Sequence, residues 1–172
     1  MKNIFKKFNK VGKVGDKRGF TLIEILVVIG IIAILATIVI IAINPARQFA
    51  QARNTQRVSN VNTILNAIGQ RIADNKGVFE GAFTINSTTY TCGKLPSTAS
   101  STITTNMAAS ISAETGDLGC LIPTFAPSLP SEPVVSATQY EMKSVGGRII
   151  VCAPAAANET NLADAAPICV AR

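Results

Sequence analysis

Between Phe20 and Ile43 the chain is apolar on every helical face, and from Ile25 to Ile43 it holds no charged residue. At about 1.5 Å of rise per residue a helix over this stretch is about 36 Å long. A hydrocarbon core of about 30 Å is therefore within its reach. Glu24 alone interrupts the segment, near its start, where an acid costs less than at the bilayer centre but still marks a functional suspect. Gly30, Ala33 and Ala36 recur at helical spacing, where small side chains let neighbouring helices approach. Asn44-Pro45 ends the run, and because proline lacks an amide donor and clashes with the carbonyl four residues back, a kink or local break is expected over Ala42–Pro45.

Beyond the proline the pattern changes from uniformly apolar to amphipathic. Val58, Val61, Leu65, Ile68 and Ile72 step by three and four, with Arg53, Arg57, Asn60, Asn62, Asn66, Gln70 and Arg71 among them. This predicts one apolar stripe on a soluble helix, packed on a sheet, with a coiled-coil seam as the competing arrangement. Asp74-Asn75-Lys76-Gly77 supplies the stop.

From residue 78 onward the periodicity shortens to two or fades. Thr84-Ile85-Asn86 and Thr88–Thr91 are expected as short strands and Met107–Ala113 as a short helix. Leu118–Pro133, with prolines at 123, 127, 130 and 133, is expected to be an extended irregular connection. Tyr140–Val145 and Arg148–Cys152 flank Gly146-Gly147 and predict a β-hairpin. An Ala- and Asn-rich coil follows, with Ile168-Cys169-Val170 as a last edge strand.

Charge changes the picture only through its position. The chain has a formal charge of +6, but Lys2, Lys6, Lys7, Lys10, Lys13, Lys17 and Arg18 all precede Gly19, against Asp16 alone. The remainder carries nine basic and nine acidic residues and is neutral. The basic excess thus belongs to a leader, which by the positive-inside rule keeps its own side cytoplasmic and sends the C-terminal part out. No nucleic-acid surface is indicated. Four cysteines, Cys92, Cys120, Cys152 and Cys169, lie in the outer part without metal or redox spacing, and read as two disulfides. Three connectivities are open. The pairing expected is Cys92–Cys120 and Cys152–Cys169, since nearest-neighbour closure pins the Thr/Ser-rich loop and ties the tail to the hairpin. Each bond would contribute roughly 3–4 kcal/mol to a domain with few aromatics.

Lys17-Arg18-Gly19-Phe20-Thr21-Leu22-Ile23-Glu24 ahead of an apolar helix resembles the class III signal of type IV prepilins and type II secretion pseudopilins. The resemblance implies cleavage by a membrane-embedded prepilin peptidase after Gly19, N-methylation of Phe20, and retention of the apolar helix. A secretory signal peptide has a shorter apolar region followed by a small-residue cleavage site, and neither is seen here. In a fibre, Glu24 of one subunit would neutralise the Phe20 amine of a neighbour, setting register by charge pairing. Many family members carry the proline several residues nearer the cleavage site than Pro45. Leu129-Pro130-Ser131-Glu132-Pro133 is similar to a stretch that precedes the sheet in major pseudopilins, but no acid-rich loop follows and no calcium site is carried over.

The expected fold is α+β and type IV pilin-like: a long N-terminal helix, transmembrane in its first half and amphipathic in its second, on a small antiparallel sheet. The divisions are residues 1–19 as a cleaved basic leader, 20–43 as the transmembrane and assembly helix, 44–76 as its amphipathic half, and 77–172 as an extracytoplasmic disulfide-bonded β-domain. The expected function is that of a structural subunit of a type IV pilus or related pseudopilus. Two alternatives are a type II secretion pseudopilin and a membrane-anchored binding domain that never polymerises. The expected partners are prepilin peptidase, identical or related subunits, the inner-membrane assembly platform and membrane lipid. The subunit is expected to sit in the inner membrane before assembly and in an extracellular or periplasmic fibre afterwards. With no histidine and no P-loop, dinucleotide or G-x-S-x-G pattern, no enzyme activity, cofactor or metal is expected.

Overall fold

The computed structural model describes residues 19–105, 114 and 116–172; all but the last residue of the leader expected at 1–19, and the helix expected at Met107–Ala113, lie outside the described residues. The chain forms two compact units, one ending at Asn44 and the other beginning at Pro45.

The first unit is helix α1, Leu22–Ile43, in which no residue is buried. Leu, Ile and Val surround the axis, so the helix has no core-facing side and needs lipid or other helices to cover it. Thr37 places its hydroxyl on the Ala33 carbonyl at 2.8 Å, which leaves no unpaired donor on that surface. Asn44 takes the left-handed conformation, φ 37°, as the C-cap. Pro45 then opens helix α2, Pro45–Asp74, where its missing amide is one of the unpaired donors of a first turn anyway. The break falls inside the expected segment Ala42–Pro45.

In the second unit α2 buries Ala50, Arg57, Val61, Ile64, Leu65, Ala67, Ile68 and Arg71. The stripe read from the sequence is therefore rotated. Val58 is exposed, while Arg57 and Arg71, assigned to the polar positions, are 1% and 4% exposed. Positions 57, 61, 64, 68 and 71 still step by four and three, and the face packs on a sheet. Arg57 takes its inward position because carboxylates of distant segments meet it there, and Arg71 because carbonyls of the segment that follows α2 do.

Strands β1, Gly81–Ile85, and β2, Thr88–Cys92, form a hairpin that pairs Ile85 with Thr88. Asn86 and Ser87 are its two turn residues, with φ 48° and 64°, so Asn86 leaves the strand expected for it. A two-residue turn needs left-handed backbone at both positions, and asparagine tolerates this well. A second sheet has the order β3-β4-β5-β6, built from Ser101–Thr102, Glu141–Val145, Arg148–Ala153 and Ile168–Ala171, all antiparallel. Gly146 and Gly147 make the β4–β5 turn at φ 57° and 80°. Ile149, Val151 and Ala153 of β5 are buried, and α2 lies against β5 and β6. In the connection from β3 to β4, Gly116 passes so close to β3 that a Cβ there would lie 2.0 Å from the Thr102 carbonyl oxygen.

Two connections are more ordered than expected. Gly119–Leu121, inside the proline-rich stretch, is a 3₁₀ turn whose Gly119 amide donates to Asp117 Oδ1 at 2.9 Å. The prolines begin only at 123, so nothing bars helical backbone before them. Pro154–Asn158 is likewise 3₁₀, with proline at its start. The core gathers Ile64 and Ile68 of α2, Leu118 and Leu121, Met142 of β4 and Val151 of β5.

Candidate processing and assembly site

Gly19 and Phe20 are exposed and precede α1, with Phe20 84% accessible. Thr21 is the N-cap. Its hydroxyl accepts from the Glu24 amide at 3.2 Å, and its own amide donates to Glu24 Oε2 at 2.9 Å, which completes a capping box. The Thr21 hydroxyl also lies 2.9 Å from the same carboxylate oxygen. Glu24 thus sits in the first turn, where a negative charge favours the helix dipole. The spacing Thr21-Leu22-Ile23-Glu24 spells this box in the sequence, a local role for Thr21 that the reading of the sequence did not assign. Gly30 has nothing within 4 Å of the place a Cβ would occupy, so α1 offers an open small-residue surface there.

Far along the chain a second polar cluster forms that sequence reasoning missed. Arg57 donates through Nη1 to Glu159 Oε1 at 2.6 Å and to Asn54 Oδ1 at 2.7 Å, and through Nε to Glu132 Oε1 at 2.8 Å, with Nη2 on the same Glu132 oxygen. Arg53 Nε reaches Glu159 Oε1 at 2.8 Å. Hydrogen bonding from Arg53 first, and then from Arg57, pulls the Glu159 pKa down to about 2 against the opposing effect of burial. Burial works against the charge of Arg57, but Glu132 and Glu159 outweigh it and raise its pKa. Tyr140, buried beside Asn60 and Glu132, is pushed up, chiefly by burial. Its hydroxyl accepts from Asn60 Nδ2 at 2.8 Å. The cluster ties α2 to the loop before β4 and to the 3₁₀ turn after β5. Its signals were Arg57 in phase with Val61 and Ile64, and Glu132 held between two prolines. Neither identifies a partner without the fold.

Arg71 plays a similar part at the other end of α2, donating to the carbonyls of Phe79 and Gly81 at 3.2 and 3.3 Å and lying 4.5 Å above the Phe83 ring. The structure joins Cys92 of β2 to Cys120 within the core, and Cys152 to Cys169 across β5 and β6 on the face away from α2. Among the described residues no group of three or more His, Cys, Asp or Glu is placed to hold a metal ion.

A signal at the N-terminus, an apolar helix with no buried face and a capped acid in its first turn now stand together. Residues 15–40 match the prokaryotic N-terminal methylation motif. It is the prepilin signature of type IV pilins and pseudopilins. The motif reaches from residue 15 over the capping box and most of α1; it is that of a structural pilin type, and it implies processing by prepilin peptidase and assembly with other pilins. Neither the curated proteins nor the solved structures yield a match to the chain. The prepilin signature, with the long apolar helix, second helix and small antiparallel sheets behind it, gives an α+β pilin-like architecture.

Proposed function

We propose that the chain is a fibre subunit of a type IV pilus or pseudopilus, cut after Gly19 by prepilin peptidase, methylated on Phe20 and polymerised through α1. The observation that carries this reading is the methylation motif laid over a helix that buries none of its 22 residues. Before assembly, lipid would cover that helix in the inner membrane, with the unit from Pro45 onward outside. After assembly, neighbouring helices would replace the lipid. The assembly platform of the inner membrane is the partner such a transfer requires.

Two further features support the reading. The exposed positions of α2 from 48 to 73 carry no charge, with Gln51, Gln56, Ser59, Asn66 and Gln70 among them. Such a face can leave water without stranding an ion. The Thr21–Glu24 box keeps the carboxylate hydrogen-bonded within its own subunit until the Phe20 amine of a neighbour replaces Thr21.

Intact-mass measurement on membrane-held protein is expected to show a chain beginning at N-methylated Phe20, and Gly19→Val is expected to block the cut. A mature form beginning near Asn44 would mean an ordinary signal peptide and would overturn the reading. Glu24→Gln is expected to remain cleaved and folded but to lose fibre incorporation by more than about a hundredfold. Removing one partner of a buried pair costs about 3–5 kcal/mol, at about 1.4 kcal/mol per decade.

A further inference from the structure

The first turns of α2 stand outside the core that the rest of the helix helps to build. From Pro45 to Gln56 only Ala50 is buried, and Phe49, the one aromatic residue of α2, is 66% exposed. The other phenylalanines of this unit are covered: Phe79 belongs to the core, and Phe83 and Phe125 pack against it. Phe49 has no such place, although a phenyl ring gains more than most side chains by leaving water.

Chain connectivity limits what can surround that ring. At about 1.5 Å per residue the 22 residues of α1 make about 33 Å, close to the span of a hydrocarbon core of about 30 Å. Two peptide links of about 3.8 Å join Ile43 to Pro45, and four helical steps add about 6 Å, so Phe49 lies within about 14 Å of the end of α1 at whatever angle the chain takes at Asn44. Pro45 itself lies within about 8 Å of that end, inside or at the edge of a headgroup layer about 5–8 Å deep. Arg47, exposed on the same turn, is the first charged residue after Glu24, so the chain re-enters polar surroundings at this level. An apolar ring flanked by Gln48 and Gln51 suits a zone that is greasy on one side and wet on the other.

We propose that before assembly Phe49 lies in the interface of the outer leaflet, its ring between the phosphate headgroups and the first acyl carbons, and holds the start of α2 to the membrane surface. This contact rests on the reading of α1 as a membrane-spanning helix and lies outside that helix. It gives the subunit a second attachment to lipid, which leaving the membrane breaks.

The test uses the absence of tryptophan from the chain, so that a single introduced indole reports alone. The full chain carrying Phe49→Trp is placed in vesicles of phosphatidylcholine and phosphatidylglycerol, with lipid brominated either near the headgroup or near the acyl terminus. Bromine near the headgroup is expected to remove at least about half of the emission, and terminal bromine much less. Val78→Trp sits at a position 47% exposed, just past the far end of α2 and about 37 Å along it from Phe49, and is expected to be quenched by neither lipid. Its silence would show that connectivity, not the affinity of indole for membranes, places the ring. Ile32→Trp, halfway along α1, is expected to respond most to terminal bromine. Without that response α1 does not span the bilayer, and the membrane reading falls together with this contact. With that response, unquenched Phe49→Trp overturns the contact alone. Blue-shifted emission from Phe49→Trp that no brominated lipid quenches would mean that protein covers the ring, and equal quenching of Val78→Trp would mean that the whole unit lies on the membrane; either result overturns the proposal.

Discussion

Arg57 shows how far one residue's environment departs from its local pattern. Its neighbours in sequence, Gln56 and Val58, are exposed, yet its own guanidinium is closed off between Glu132 and Glu159, residues 75 and 102 positions away. Arg57→Ala leaves the Glu132 carboxylate buried without its cation, and the expected loss is about 3–5 kcal/mol of folding stability, the cost typical of breaking such a pair. Chemical denaturation of the unit from Pro45 onward measures it, and a loss below about 1 kcal/mol would show that Glu132 finds another partner or opens to water. Replacing Arg57 and Glu132 together by Met and Gln is expected to cost much less, since no charge is then stranded. Glu24 is the counterpart in the first unit: the sequence singles it out because the acid stands alone in an apolar run, and its bond to Thr21 belongs to the local spelling of a capping box.

At the scale of elements, the two disulfides differ in what they hold. Cys92–Cys120 lies inside the core and ties β2 to the 3₁₀ turn at Gly119–Leu121. Cys152–Cys169 joins directly opposed residues of β5 and β6, strands already held by a backbone ladder, on the more exposed face. Replacing Cys92 and Cys120 by alanine is therefore expected to destabilise more than replacing Cys152 and Cys169: it empties buried volume as well as releasing a loop of 28 residues rather than 17. Thermal melts of the two double variants decide it, and the reverse order would mean that anchoring the last strand matters more than filling the core. The β4–β5 hairpin was legible because two glycines between alternating runs permit a tight turn. The β1–β2 hairpin was only half legible, since Asn86-Ser87 advertises its left-handed backbone less plainly.

Over the whole molecule, the units before and after Asn44 answer to different solvents. The core of the second unit is made entirely of residues from α2 onward, and α1 contributes no buried residue to the fold. A fragment covering 45–172 is expected to remain folded and soluble without detergent, with both disulfides formed; aggregation of the oxidised fragment would contradict this. The same fragment reports on Glu159. Its folded pKa, about 2, lies below its ordinary 4.5, so the stability from its ion pairs is fully present above the unfolded value and is lost as pH falls through the folded one. Acid titration of the fragment is expected to show a loss of stability between about pH 5 and 2 that Glu159→Gln flattens.

The sequence by itself determined what depends on neighbours along the chain. An uninterrupted apolar run makes a membrane-length helix, a proline ends it, Gly146-Gly147 turns a strand back, and the residues around Gly19 and Glu24 carry the prepilin signature. Tertiary structure alone decided which arginines of α2 turn inward and which acceptors receive them, carboxylates for Arg57 and backbone carbonyls for Arg71. The physical reason is that helical period and turn conformation are set within a few residues. The cost of burying a charge or a valine is set by whatever distant segment the fold brings to meet it.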